Sequence, residues 1–402
     1  MEGESMSEWK EVKLGMLGNI ITGKTPRTAI EDNYGGTIPF LTPSDDMSVK
    51  HVVFTKKTLS EKGVAEVKNC LLPCGAVCVS CIGSDLGKVV ITTGDTITNQ
   101  QINSIIVNEN NNNDFVYYLL TIVGRELNRI SKTSTAVPII NKSTFSSYEI
   151  KIPDLFTQQE IAGILSSLDA KIETNNKLNK KLEEMAQAIF KSWFVDFEPF
   201  KDKPFHETEL GMIPEGWNVC CLGDITKQTK EKVGSNRFLK VLSPINTGEL
   251  TLSEDYFTKQ VYSKDISKYI LVRKNNFAYN PARVNIGSLG RNEYDFDGCV
   301  SPVYVVFEVI KEYENFFDLF RRQKTFINSV ISLAIGGVRQ SLSYNDFSYI
   351  KLIVPPKNVI EKFNDIYAEL DKLIKTKKIE NNRLASLRDT LLPRLMSGEL
   401  KV

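Results

Sequence analysis

Apolar residues recur along the chain in two rhythms. The longer one alternates steps of three and four: Ile161, Leu165, Leu168, Ile172, Asn175, Asn179, Leu182, Ala186, Ile189 and Trp193. Such steps keep one helix face in register over many turns, so this is a heptad seam, apolar at its ends and polar in the middle. Adding 202 reaches a second seam at Phe363, Tyr367, Leu370, Ile374, Lys377, Asn381, Leu384, Arg388 and Leu391. Thr157 with Glu160, and Asn358 with Glu361, have capping-box spacing near the two starts, and Pro393 reads as the stop of the second helix. Laid antiparallel, the seams match polar layer to polar layer; a register slip would bury Lys377 or Asn179 against leucine. The expectation is an antiparallel coiled-coil rod with pseudo-twofold symmetry. About 33 helical residues at ~1.5 Å each make it ~50 Å long. Two unrelated amphipathic helices, each packed on its own domain, are the competing reading.

The shorter rhythm belongs to strands. Ala76–Val79, Asn103–Val107 and Val303–Phe307 are short β-prone runs set among Gly, Pro and Thr, while Phe115–Ile130 and Tyr313–Ile335 have helical spacing. The fold class is therefore α+β, with two β-rich domains, each followed by a long helix. The chain is a tandem repeat. Trp9 and Trp217 each precede a Leu-Gly pair at the same spacing, Ile82–Gly87 reappears one residue shorter as Ile286–Gly290, and Phe145–Pro153 matches Phe347–Pro355. The expected boundaries are residues 1–153 and 213–356 for the β-rich domains, 154–197 and 357–402 for the helical parts, and 198–212 for a linker. Trp193, Phe194 and Phe197 are expected at exposed seam ends.

Length and charge narrow this picture. At 402 residues, with 42% hydrophobic and 25% charged residues, the chain exceeds one compact core and is not disordered. The 50 Lys and Arg against 49 Asp and Glu exclude a polybasic protein but not a local nucleic-acid face. No apolar run approaches a membrane span, the N-terminus is acidic and polar, and seven cysteines form no disulfide framework. A cytoplasmic protein is expected.

Several motifs carry chemistry on paper. Gly18-Asn19-Ile20-Ile21-Thr22-Gly23-Lys24-Thr25 satisfies the phosphate-loop pattern, but Pro26-Arg27 follows where a helix should start, and Ile20-Ile21 read as strand. Cys74, Cys78 and Cys81, with Cys70 upstream, have iron–sulfur spacing, yet they sit in an apolar run, with Cys74 and Cys78 on one strand face and Cys81 on the other. Only His51 and His206 are available to a histidine-based mechanism, and Asn280-Pro281-Ala282-Arg283 lacks the second Pro and aromatic of a base-flipping tetrapeptide. No catalytic or metal site is expected. Binding remains, through loops that set basic or amide groups beside glycine: Lys24, Thr25 and Arg27; Ser84 and Lys88; Arg283, Ser288 and Arg291; Arg339 and Gln340. Arg pairs with guanine, and Gln or Asn with adenine, in the major groove. The plain alternative for each is a solvated turn.

Together these residues resemble a known family. Phe190-Lys191-Ser192-Trp193-Phe194-Val195-Asp196-Phe197-Glu198-Pro199-Phe200, Leu210–Trp217 and Leu391–Leu400, with Gly23-Lys24-Thr25-Pro26, Gly36–Phe40 and Asn99-Gln100-Gln101-Ile102 in the first domain, are similar to specificity subunits of Type I restriction–modification systems. The resemblance implies two target-recognition domains, each reading one half of a bipartite DNA sequence in double-stranded DNA, with the helices setting the spacer. It implies a prokaryotic cytoplasmic complex with two methyltransferase subunits, which use S-adenosylmethionine on adenine, and restriction subunits, which use ATP and magnesium; no cofactor is bound by this chain. The helical positions Ile161, Leu165, Leu168, Ile172, Asn175, Leu182, Ile189, Trp193, Phe363, Leu370, Ile374, Leu384 and Leu391 would form the rod and its partner contacts. The rivals are a protein-interaction scaffold and a phosphate-loop nucleotide-binding protein.

Overall fold

The computed structural model describes residues 9–52, 54–83, 86–131, 139–235, 238–257, 261–334 and 341–402. The chain divides into two units, one of residues 1–177 with 377–402 and one of residues 178–376. The division cuts both long helices, which run Leu155–Phe194 and Lys357–Met396, 40 residues each.

In the first unit Gly18–Thr22, Ile102–Val107, Val77–Ser80, Val89–Thr92 and His51–Val52 form one sheet in that order. A second sheet orders Lys57–Leu59, Tyr34–Leu41, Thr96–Thr98 and Leu71–Leu72, and contains a parallel pair, Phe40 beside Ile97. A ribbon of Lys10–Lys13 with Glu149–Ile152 ties the ends of this β-rich part together. The helix Asn113–Ser131 lays Phe115, Val116, Leu119, Leu120 and Val123 on the first sheet, as its i, i+3, i+4 spacing predicts.

The second unit repeats these devices. Asn218–Cys221 pairs with Lys351–Val354 as the ribbon, and Lys240–Val241 runs parallel to Gly298–Cys299. Its other sheet orders Thr226–Thr229, Val305–Val309, Phe277–Tyr279 and Leu289–Arg291. The helical stretch expected over Tyr313–Ile335 is broken into Glu314–Phe320 and Lys324–Ala334. Between them Arg321 turns inward and donates to the carbonyl oxygens of Gly248 and Leu289.

Within each unit the long helices meet antiparallel. In the first, Ile161 and Leu165 share a core with Leu392, Leu395 and Met396, Asp169 meets Arg388 at 2.7 Å, and Asn175 Nδ2 donates to Asn381 Oδ1 at 2.9 Å. Asn381 in turn donates to Asn176 Oδ1, so three amides are linked across the two helices. In the second, Phe190, Trp193 and Phe194 pack on Phe363.

Three local expectations are corrected. Asp154, not Thr157, caps the first helix, its Oδ1 accepting from the Thr157 N–H at 2.9 Å. Pro393 lies inside the second helix, which continues to Met396, because a proline forfeits one backbone bond without forcing a stop in the last turn. Cys74 is exposed and precedes the strand Val77–Ser80, so it shares no strand face with Cys78.

Candidate nucleic-acid interface

In the first unit four loops converge beyond the ends of the first sheet. The Gly23 N–H donates to Ile102 O, the Cys81 N–H to Gln101 O and the Ile140 N–H to Cys81 O, while Ile82 bridges to Ile139. Side chains reinforce the junction: Thr22 Oγ1 donates to Asn103 Oδ1 at 2.6 Å, and Asn103 Nδ2 to Ile140 O at 3.2 Å. Gly23 is required by close approach, since a Cβ there would lie 2.2 Å from Thr98 Oγ1 and 2.3 Å from Asn99 O. The loop after it is therefore pressed against the turn at Asn99–Gln101.

This junction carries Lys24, exposed, and Thr25, half-buried, whose hydroxyl donates to Gln100 Oε1 at 2.7 Å. Lys142 is exposed two residues after Ile140, whose N–H and carbonyl oxygen are both bonded at this junction. Gln100 and Lys142 are thus members of the cluster that sequence reasoning did not select as contacts. Gln100 stands inside a motif singled out on other grounds; Lys142 has no sequence signal, because only the fold brings it near Lys24. Arg27 is exposed, but its Nε and Nη2 both donate to Glu66 Oε1. These hydrogen bonds hold the Glu66 carboxyl at about 2. Lys88 is exposed at the start of the strand Val89–Thr92.

The second unit has the matching junction. The Leu342 N–H donates to Pro281 O, as Ile140 does to Cys81, and Tyr279 Oη donates to Leu342 O. Here the turn presents Asn280, which accepts the Ala282 N–H at 3.0 Å, and an exposed Arg283. Ser288 and Arg291 are occupied inside the domain: Ser288 is buried and donates to Pro244 O, and Arg291 pairs with Glu314 and Asn315 at 2.9 Å. Ser84, Arg339 and Gln340 lie outside the described residues.

The thirteen helical positions singled out in the seams all turn inward. Ile161, Leu165, Asn175, Leu182 and Phe363 are buried, and Leu168, Ile172, Ile189, Trp193, Leu370, Ile374, Leu384 and Leu391 are half-buried. The exposed seam end expected at Trp193, Phe194 and Phe197 is corrected: Phe194 and Phe197 are buried and Trp193 is packed against the same core, because Phe200, Trp217, Phe316 and Phe363 cover them.

The other chemical motifs resolve structurally. Gly18–Thr22 is a strand paired with Ile102–Val107, and the next helical residues are the short turn Glu31–Asn33. Burial pushes Cys78 up to about 12 and Cys81 to about 11, which keeps both as neutral thiols. Among the described residues no cluster of His, Cys, Asp and Glu could hold a metal, and no helix is long and apolar enough to cross a membrane.

A duplicated α+β chain, with one long helix per repeat and the same loop junction carrying different polar tips in each copy, has the build of a two-part recognition protein. Residues 6–184 match the Type I restriction modification DNA specificity domain. The chain is 30% identical to the Type I restriction enzyme MjaIX specificity subunit of Methanocaldococcus jannaschii, over all of this chain and 95% of the relative. It is 25% identical to the HindI specificity subunit of Haemophilus influenzae, over 98% of this chain and all of the relative. The crystal structure of a Type I restriction–modification S subunit from M. genitalium superposes with a TM-score of 0.55 at 17% identity, covering 98% of each chain, and shares the fold. The chain belongs to the family of Type I restriction enzyme specificity subunits.

Proposed function

We propose that this chain is the non-catalytic, DNA-reading subunit of a prokaryotic, cytoplasmic Type I restriction–modification complex. The carrying observation is the repeated junction with divergent tips. Lys24, Thr25, Gln100 and Lys142 stand on one copy and Asn280 and Arg283 on the other, as two different half-sites require. The paired helices set the spacer between the half-sites and dock two methyltransferase subunits. Those subunits bring S-adenosylmethionine and methylate adenine; restriction subunits bring the ATP- and magnesium-dependent activities, and this chain holds no cofactor itself. Residues 1–153 and 213–356 act as the two target-recognition domains.

The test is a methylated-adenine map of the host genome with and without the gene. Loss of methylation at one bipartite motif on deletion supports the reading; an unchanged map in a host shown to express all the subunits rejects it. Two variants then separate phosphate from base contacts. Lys24→Ala is expected to weaken binding of all sequences alike and to reduce the salt dependence by about one ion, read as the slope of log affinity against log salt. Arg283→Ala is expected to relax one position of the second half-site at a cost of about 1–3 kcal/mol in discrimination, leaving the first unchanged.

A further inference from the structure

Gln100 stands on the connection between the strands Thr96–Thr98 and Ile102–Val107. Its two neighbours are spent on holding that connection. Asn99 Nδ2 donates to Gln101 Oε1 at 2.9 Å, the Gln101 N–H to Asn99 Oδ1 at 3.1 Å, and the Asn99 N–H to Leu41 O at 3.1 Å. Gln100 alone of the three side chains is exposed.

It is exposed without being loose. The Thr25 hydroxyl donates to Gln100 Oε1 across 75 positions of sequence, from a loop that Gly23 holds against this turn. The hydrogen bond from the Thr25 hydroxyl holds the amide in place. Oε1 keeps a second lone pair and Nε2 keeps two hydrogens, side by side. That acceptor and donor complement the N6 amino group and N7 of adenine in the major groove. Lys24 and Lys142, exposed beside the bonded Gly23 and Ile140, supply positive charge to the same junction, of the kind that anchors flanking phosphates. Holding the amide in advance also lowers the entropy lost on binding.

We propose that Gln100 is a specificity-determining residue of the first domain, reading one adenine of its half-site, with Thr25 as the positioning residue that orients its amide. This rests on the DNA-reading function above and names the atoms that carry it.

The experiment is the methylated-adenine map of cells carrying the complete complex, with Gln100 and Thr25 varied. Gln100→Ala is expected to relax a single position of the first half-site, discrimination there falling roughly 5- to 150-fold. Gln100→Glu removes the donor and leaves an acceptor, so the preference at that position is expected to move from adenine toward cytosine, whose N4 donates. Thr25→Val should relax the same position, and Thr25→Ser, which keeps the hydroxyl, should restore it. The second half-site and the spacer stay as they are. An unchanged motif in both Gln100 variants overturns the proposal while leaving the DNA reading intact. Loss of both half-sites together means that Gln100 holds the domain rather than reads a base, and overturns it equally. A wild-type map with no gene-dependent bipartite motif brings down the underlying function instead.

Discussion

Replacing Phe363 by alanine is expected to destabilise the second unit by about 3–5 kcal/mol, the usual cost of emptying a buried aromatic site. Phe363 is 1% exposed and lies at the meeting point of the long helices within that unit. Its ring packs edge-on to Phe194 at 4.9 Å and to Phe190 at 6.2 Å, and lies 6.2 Å from Trp193 and 6.1 Å from Tyr367. Each aromatic pair adds about 0.5–1.5 kcal/mol beyond area burial, and rigid rings around the site cannot collapse into the space. Alanine is the best helix former, so the loss is one of packing and not of helix propensity. For a unit of this size the unfolding transition should fall by roughly 6–20 °C in calorimetry. Phe363→Leu, which keeps much of the apolar volume, should recover more than half of it. A shift under about 1 °C for the alanine variant would show that the helices are not held there.

The same residue shows what was legible in the sequence. Period alone put Phe363 on an inward face, where it is buried, and set Asn175 and Asn381 in the seams, where they bond to each other. Periodicity states which face is covered but not by what. The cover of Phe194 comes from Phe316 and Phe363, far away in sequence, and that of Phe197 from Trp217 at the start of the second repeat, neither of which period reveals. The binding site divides in the same way. Lys24 and Thr25 follow from a local glycine-loop pattern, whereas Lys142 joins them only once the bond between Ile140 and Cys81 closes the junction. Ser288 and Arg291 carry the right chemistry in a glycine-rich turn, but the fold uses their polar atoms internally, which composition does not reveal.

Asp318→Asn should cost the second unit about 3–5 kcal/mol at neutral pH, the range for breaking a buried ion pair by removing one partner. Asp318 is 1% exposed. Arg321 Nε donates to its Oδ1 at 2.8 Å and Arg322 Nη2 to its Oδ2 at 2.9 Å, and Arg321 is itself buried where the broken helix turns inward. An amide leaves that guanidinium without its counter-charge and sets two N–H donors beside it. The pH dependence follows from the same geometry. Burial by itself would raise the Asp318 carboxyl, but the positive charges of Arg321, Arg322 and Arg291 outweigh it and hold the group at about 2. A carboxyl depressed in the folded state binds its proton more readily when unfolded. Its contribution is therefore present in full above the unfolded value near 3.8 and is lost as pH falls toward about 2. A depression of that size corresponds to about 2 kcal/mol. Denaturant midpoints of the wild-type chain and the asparagine variant should differ by a constant amount between about pH 5 and 7, and the gap should narrow below about pH 4. A gap that stayed constant down to pH 2.5, in a chain still folded there, would mean that Asp318 is not the ionised centre of this cluster and that hydrogen bonding alone holds Arg321 in place.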